Sequence, residues 1–197
     1  MNRHRHRLTI LSSALTTALL AAIVLAAPAS AAKLSQSDAT GDVQFFESVD
    51  APATAAPKQR NGDLKHYAVD YGESRIRIKL RFRQLDHSEP RLLVGVAFRF
   101  PAHGQQNYEE AFVEAKRGAW GGKAEVVKGC VVKHHIDYPR NRAKISFPAD
   151  CIGSPRWLRF NAAALTTDKW SSPSYYYGDR APGTIREERW TKRVYPG

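Results

Sequence analysis

Residues 75–83 of the run SRIRIKLRFR alternate cationic and apolar side chains without a break. Successive side chains of a β-strand point to opposite faces of its sheet, so this spacing produces one cationic and one apolar face. The run therefore predicts a strand that buries one face and leaves the other in water. The chain is expected to contain a sheet that is covered on one side.

Further segments of the chain have the same period. Residues 91–100 carry large apolar side chains on one side and small residues, including Gly95 and Ala97, on the other, which predicts a strand with something packed close against it. The remaining predicted strands are 64–71, 110–117, 124–127, 130–136, 143–147, 157–165, 175–177 and 189–194, and 51–57 is predicted to be a surface loop. Short strands separated by turns, with no long amphipathic helix, predict an all-β antiparallel sandwich of the jelly-roll type.

The first 31 residues have the three-part order of a secretory signal peptide. A basic start, MNRHRHR, precedes an uncharged apolar run over 8–27 and a small-residue site that ends at Ala31. We expect cleavage after Ala31, which leaves one domain over 32–197 with no transmembrane segment. The alternative is a retained anchor, since a run of this length is just long enough to span a bilayer.

The expected mature protein is basic and exported. Loss of the three leader arginines lowers the formal net charge from +11 to +8. Outside the cell, a basic protein favours anionic partners such as wall polymers, acidic glycans or lipid headgroups. We expect a secreted monomer that binds an extracellular glycan or an anionic wall polymer, and no nucleic acid.

The chain has two cysteines, Cys130 and Cys151, and both lie in the expected exported part. Two thiols in an oxidising compartment have one intramolecular pairing, so we predict a disulfide between them. The residues between them read as a hairpin with a turn at 139–142, and both sulfurs are in phase with its more apolar face.

An acidic turn follows the leader. Asp38 and Asp42 lie four residues apart around Gly41 in the stretch SDATGDV. Calcium takes six to eight oxygen ligands, and a glycine permits a sharp turn that directs carbonyl groups inward. The alternative is an ordinary turn in which each aspartate accepts hydrogen bonds from nearby backbone amides.

This acidic turn, the Asn61-Gly62-Asp63 step before a long strand, and Asp179 after three tyrosines resemble the calcium-binding β-sandwich of the DOMON-like group. That group includes the C-terminal module of glucodextranase-type enzymes and small secreted actinobacterial proteins. The resemblance follows the strand order of the whole expected mature chain. It implies a structural calcium ion held by Asp38, Asp42, Asp63 and Asp179, with Arg180 standing where relatives carry a second acid.

Two other groups of side chains are candidates for ligand binding. The cations of the alternating run are spaced about 7 Å apart along one face of the strand, which suits an extended polyanion. They are Arg75, Arg77, Lys79 and Arg81, with Arg83 at the end of the run. The alternative is a solvated face whose charges are countered by acids such as Asp70, Glu109 and Glu114.

Aromatic side chains form the other group. Trp120 lies among glycines and is predicted to be an exposed ring in a flexible loop that stacks on sugars. Trp170 and the tyrosines at 175–177 form a second aromatic cluster. The alternative is that these rings pack in the core, which suits Trp120 least because it is flanked by glycines.

No catalytic residue is predicted. The neighbours His134 and His135 point to opposite faces of a strand, and the Gly-x-Ser-x-Gly and His-Glu-x-x-His motifs are absent. The chain is therefore expected to be a calcium-stabilised, non-catalytic binding or structural module at the cell envelope. The alternatives are a secreted hydrolase of glycans or esters and a binder of anionic wall polymers that uses its basic face.

Overall fold

A computed structural model describes residues 32–102, 105–125, 129–169 and 171–197. The expected signal peptide and Trp170 lie outside these residues. Within the described residues the protein is an all-β sandwich of two antiparallel sheets, which confirms the predicted fold class. In the same part of the chain, no helix has the length and apolar character needed to cross a membrane.

The two sheets contain five and seven strands. The first sheet has the order β1 (Ala32–Ser37), β4 (Leu64–Tyr71), β5 (Arg75–Phe82), β10 (Arg142–Pro148) and β9 (Lys133–Asp137). The second has the order β3 (Thr54–Ala55), β2 (Gln44–Phe46), β12 (Tyr176–Ala181), β11 (Arg159–Thr167), β6 (Arg91–Ala102), β7 (Gln105–Lys116) and β8 (Ala119–Glu125). A short 3-10 helix, Ala149–Ile152, follows β10.

The core lies between the two sheets and is formed by the apolar face of each strand. In β5 every apolar side chain of the alternating run is buried, while Arg77, Lys79 and Arg81 are exposed. Aromatic pairs join the sheets across the core, with ring centroids 5.6 Å apart for Phe98 and Phe147. The alternation thus has the predicted consequence of one buried and one solvated face.

Several boundaries differ from prediction where the local sequence is weakly apolar. Strands β1, β2 and β3, at or next to the edges of their sheets, were not predicted, and β3 lies inside the expected surface loop. In place of the strand expected at 124–127, the chain forms β8, which starts at Ala119. The prediction missed this start because the AWGGKAE sequence has little apolar alternation. The segment expected as a strand at 189–194 forms a single isolated bridge, between Val194 and Leu158.

The predicted disulfide between Cys130 and Cys151 is present, with Cα atoms 5.9 Å apart. Strands β9 and β10 form the predicted hairpin, in which Ile136 is opposite Ala143. The expected phase of the sulfurs is wrong, because Cys130 precedes β9 and Cys151 lies in the 3-10 helix. The bond therefore joins the two ends of the hairpin outside its strands.

Candidate metal centre and cationic sheet face

The fold brings together acidic residues that are far apart in the chain. Asp38 directly follows β1 and Asp63 directly precedes β4, both in the five-stranded sheet. Asp42 precedes β2 and Asp179 lies in β12, both in the seven-stranded sheet. The backbone amide of Leu64 donates a hydrogen bond of 2.7 Å to Asp179 Oδ2 and so joins the two sheets at this point. The acidic group is therefore a junction between the sheets.

Three of the carboxylates are close enough to share one ion. One oxygen each from Asp38, Asp42 and Asp179 lies within 4.8 Å of the others. Two oxygens on opposite sides of a calcium ion, each at 2.3–2.6 Å, are at most about 5 Å apart. We call Asp38, Asp42, Asp63 and Asp179 the acidic cluster.

Each residue of the acidic cluster has one buried carboxylate oxygen without a hydrogen-bond partner. These atoms are Asp38 Oδ2, Asp42 Oδ1, Asp63 Oδ1 and Asp179 Oδ1. Buried polar atoms in proteins are normally paired, and burial of an unpaired carboxylate is costly. The junction therefore holds four buried carboxylate oxygens that the described residues leave without a donor.

The electrostatics of the cluster disfavour the ionised form of three of its carboxylates. Burial, followed by the charge of Asp42, raises the pKa of Asp38 to about 7. Burial also raises the pKa of Asp179 to about 8, with the charges of Asp42, Asp38 and Asp63 adding to the effect. The pKa of Asp42 is raised by burial and by the charge of Asp63. A divalent cation would remove this repulsion and favour the ionised form of all these groups.

Asp63 organises the acidic turn as well as adding charge. It is 0% exposed, and its Oδ2 accepts hydrogen bonds from the Gly41 amide at 2.8 Å and from Arg83 Nη1 at 3.1 Å. Gly41 has a φ of 81°, a left-handed conformation that glycine adopts without strain. Asp63 is not one of the three mutually close carboxylates, and its role as a direct ligand stays a prediction.

Arg83 contacts the acidic cluster instead of extending the cationic row. Its pairing with Asp63 places it beside the carboxylates, where it balances one negative charge. The alternation of residues 75–83 suggests that Arg83 continues the row of cations. Strand β5 ends at Phe82, however, so Arg83 lies beyond the strand and outside this row. Arg180 takes no part in the cluster. It follows Asp179 in β12, so its side chain lies on the opposite face of the strand, and its cross-strand neighbour is Ala163.

The other cations of the alternating run lie on the outer face of the five-stranded sheet. Arg77, Lys79 and Arg81 are exposed there, and Arg75 is half-buried. Strand β10 adds further cations in register, with Lys144 opposite Lys79 and Arg142 opposite Arg81. We call Arg75, Arg77, Lys79, Arg81, Arg142 and Lys144 the cationic face. Lys144 and Arg142 were not predicted as part of it, although their alternation with Ala143 and Ile145 was a readable signal.

The acids expected to counter this charge are mostly elsewhere. Asp70 lies 4.0 Å from Arg77, at the limit of an ion pair. Glu109 and Glu114 are in β7 of the other sheet, and Glu114 pairs with Arg91. Two adjoining hollows of about 390 and 310 Å³ open on this side of the molecule, and His66 and Arg81 line both.

Trp120 is packed in the structure. It lies in strand β8, half-buried against the core, and stacks on His87 with ring centroids 4.3 Å apart. Tyr138 lies edge-on to both rings and donates a hydrogen bond to the Trp120 carbonyl oxygen. The expectation of an exposed ring in a flexible loop is therefore wrong, and His87 covers one face of the indole. Sugar binding by Trp120 stays a prediction.

Comparison of the chain with models of known protein families and with curated proteins found no match.

Proposed function

We propose that the protein is an exported, non-catalytic β-sandwich module whose two sheets are held together at the acidic cluster by a structural calcium ion. The observation that carries this proposal is the set of four buried carboxylate oxygens without partners at one junction. Asp38, Asp42 and Asp179 are the direct ligands, and Asp63 orients the turn through Gly41. The resemblance of these residues to the DOMON-like calcium site is in agreement.

The composition of the cluster favours calcium over other metals. The close group contains carboxylates alone. Carboxylate and carbonyl oxygens suit calcium, magnesium and manganese, whereas zinc and copper sites use imidazole or thiolate. Calcium accepts irregular arrangements of oxygens and gives up its water readily, whereas magnesium demands octahedral geometry and retains water. A buried cluster built from a turn and from residues of both sheets fits calcium better.

Thermal unfolding in calcium and in chelator tests this proposal. We expect the melting temperature of the wild type to be higher in calcium than in EDTA, because an ion that binds only the folded state stabilises it. Asp179→Asn keeps the size of the side chain and should remove most of the difference.

Asp70→Asn is the matched control, because Asp70 lies on the outer face of β4 away from the cluster. It should retain the full effect of calcium. Equal melting temperatures of the wild type in calcium and in EDTA would contradict the proposal. Turnover of glycan or ester substrates would favour the hydrolase instead.

The cationic face favours a second candidate function, the binding of an anionic polymer. Like charges directly opposite each other on neighbouring strands destabilise a sheet, yet Lys79 faces Lys144 and Arg81 faces Arg142. A ligand that neutralises both rows would offset this cost. The about 7 Å spacing of charges along a strand suits a linear polyanion.

Retention on immobilised heparin, used as a model polyanion, tests this second function. The double variant Lys79→Gln/Lys144→Gln should elute at clearly lower salt than the wild type. The control Lys123→Gln/Lys192→Gln removes two exposed lysines from other parts of the surface, so the net charge is matched. Equal shifts for both double variants would mean that the retention reflects net charge alone.

A further inference from the structure

A small groove lies on the outer face of the seven-stranded sheet. It has a volume of about 190 Å³ and we call it the outer groove. Its floor consists of the small residues Gly95, Ala97 and Ala163, which are neighbours on the paired strands β6 and β11. A Cβ atom on Gly95 would come within 2.7 Å of the Ala111 carbonyl oxygen and of Phe112 Cβ. The low floor therefore depends on glycine at this position.

The walls of the outer groove are apolar and its rim is polar. Leu93, Phe112, Leu165 and Ile185 form the walls. Glu110 is exposed at the rim and accepts a hydrogen bond from the Tyr108 hydroxyl group. The space exceeds the about 150 Å³ that is known to hold a benzene molecule. The outer groove thus has room for one six-membered ring.

Two hydrogen-bond donors in the outer groove lack acceptors. Asn161 is only 2% exposed and lines the groove, and its Nδ2 has no partner. Nε of Arg180, which also lines the groove, is buried and unpaired. Within the described residues, Arg180 forms no ion pair with an acid. Buried donors are almost always satisfied, so these two indicate an acceptor that the polypeptide does not supply.

We infer that the outer groove binds a carboxylated sugar ring, the chemical class of the uronic acids. The carboxylate accepts hydrogen bonds from Asn161 Nδ2 and from the Arg180 guanidinium, a charge-assisted arrangement. The hydroxyl groups of the ring donate to Glu110. The C–H faces of the ring pack against Phe112 and the apolar walls, as is usual in pockets where a few polar groups fix orientation.

The outer groove is independent of the two sites already described. It lies on the seven-stranded sheet, whereas the cationic face lies on the five-stranded sheet. Arg180 follows Asp179 in β12, but the two side chains lie on opposite faces of the sheet. The cross-strand neighbour of Arg180 is Ala163 on the outer face, and that of Asp179 is Ala164, which is buried on the inner face. A failure of uronic acid binding would therefore leave the calcium proposal unaffected.

Calorimetric titration of the calcium-loaded protein with D-glucuronate and with D-glucose tests the inference. We expect glucuronate to bind at least about tenfold more tightly than glucose, because the neutral sugar leaves the two donors unpaired. Asn161→Leu and Arg180→Gln should each weaken glucuronate binding by about tenfold. The Lys79→Gln/Lys144→Gln variant should bind glucuronate as the wild type does.

The melting temperature distinguishes a binding role of Asn161 from a structural one. Replacement of a buried unpaired amide by an apolar side chain of similar shape should leave the melting temperature unchanged or raise it. Equal affinities for glucuronate and glucose, no detectable heat with glucuronate, or loss of binding only in the Lys79→Gln/Lys144→Gln variant would overturn the inference. A lower melting temperature of Asn161→Leu with unchanged affinity would overturn it as well.

Discussion

At the scale of the residue, the aspartates of the acidic cluster are unusual for buried groups. Each combines a buried oxygen without a partner with like-charged neighbours. Burial and charge repulsion raise the pKa of Asp38, Asp42 and Asp179, so in the metal-free protein these three groups hold protons at pH values where an exposed aspartate is ionised. The cluster therefore couples the stability of the fold to both pH and metal.

This coupling predicts the pH dependence of the metal-free protein. The pKa values of Asp38 and Asp179, about 7 and about 8 when folded, exceed the ordinary value of 3.8, so the folded state binds more protons than the unfolded state between about pH 4 and pH 8. The free energy of unfolding must then fall as the pH rises through this range. In EDTA, the melting temperature should fall from pH 5 to pH 8, and Asp179→Asn should make the fall smaller.

Calcium should offset this fall in melting temperature, because the ion competes with protons for the same oxygens. The difference in melting temperature between calcium and EDTA should increase as the pH rises from 5 to 8. A calcium effect of constant size across this range would contradict the participation of Asp38 and Asp179.

At the scale of the element, strand β10 shows how the fold adds to what one strand encodes. The β5 sequence predicts a row of cations, but the register with β10 places a second row directly beside it. The cations of the two rows repel each other, which destabilises the sheet. The same concentration of positive charge favours the binding of a polyanion. Replacement of one of these cations by an acid should therefore raise the stability of the fold and weaken polyanion binding.

Lys144→Glu tests this opposition. Exchange of the repulsion with Lys79 for attraction should raise the free energy of unfolding by about 0.2–1 kcal/mol, measured by urea denaturation. The same variant should elute from heparin at lower salt than the wild type. A variant that is less stable than the wild type would contradict the repulsion between Lys144 and Lys79. Unchanged elution would contradict a role of this pair of strands in binding a polyanion.

At the scale of the whole molecule, the local pattern of residues predicts the sandwich, the hairpin and the disulfide. It also draws attention to Asp38 and Asp42, whereas Asp63 and Asp179 were expected only from the resemblance to the DOMON-like group. Strands such as β4 and β5 are predictable because period two runs through eight residues each. The short strands β2 and β3 are not predictable, since two or three residues define no period.

Features that depend on contacts between distant segments are absent from the local pattern. The pairing of Asp63 with Arg83, the stacking of Trp120 on His87 and the position of Asn161 in the outer groove all depend on packing between separate strands and loops. Glycines around Trp120 suggested a loop, whereas packing against the core holds that segment in β8. Tertiary packing outweighs local propensity at such positions.

The central claim is that one calcium ion joins the two sheets at the acidic cluster, and calorimetric titration of calcium into EDTA-treated, dialysed protein tests it most directly. We predict one bound calcium ion per chain for the wild type and for Asp70→Asn, and a loss of binding in Asp179→Asn that retains the β-sheet circular dichroism spectrum. The absence of calcium binding by the wild type, or unchanged binding by a folded Asp179→Asn variant, would contradict the claim.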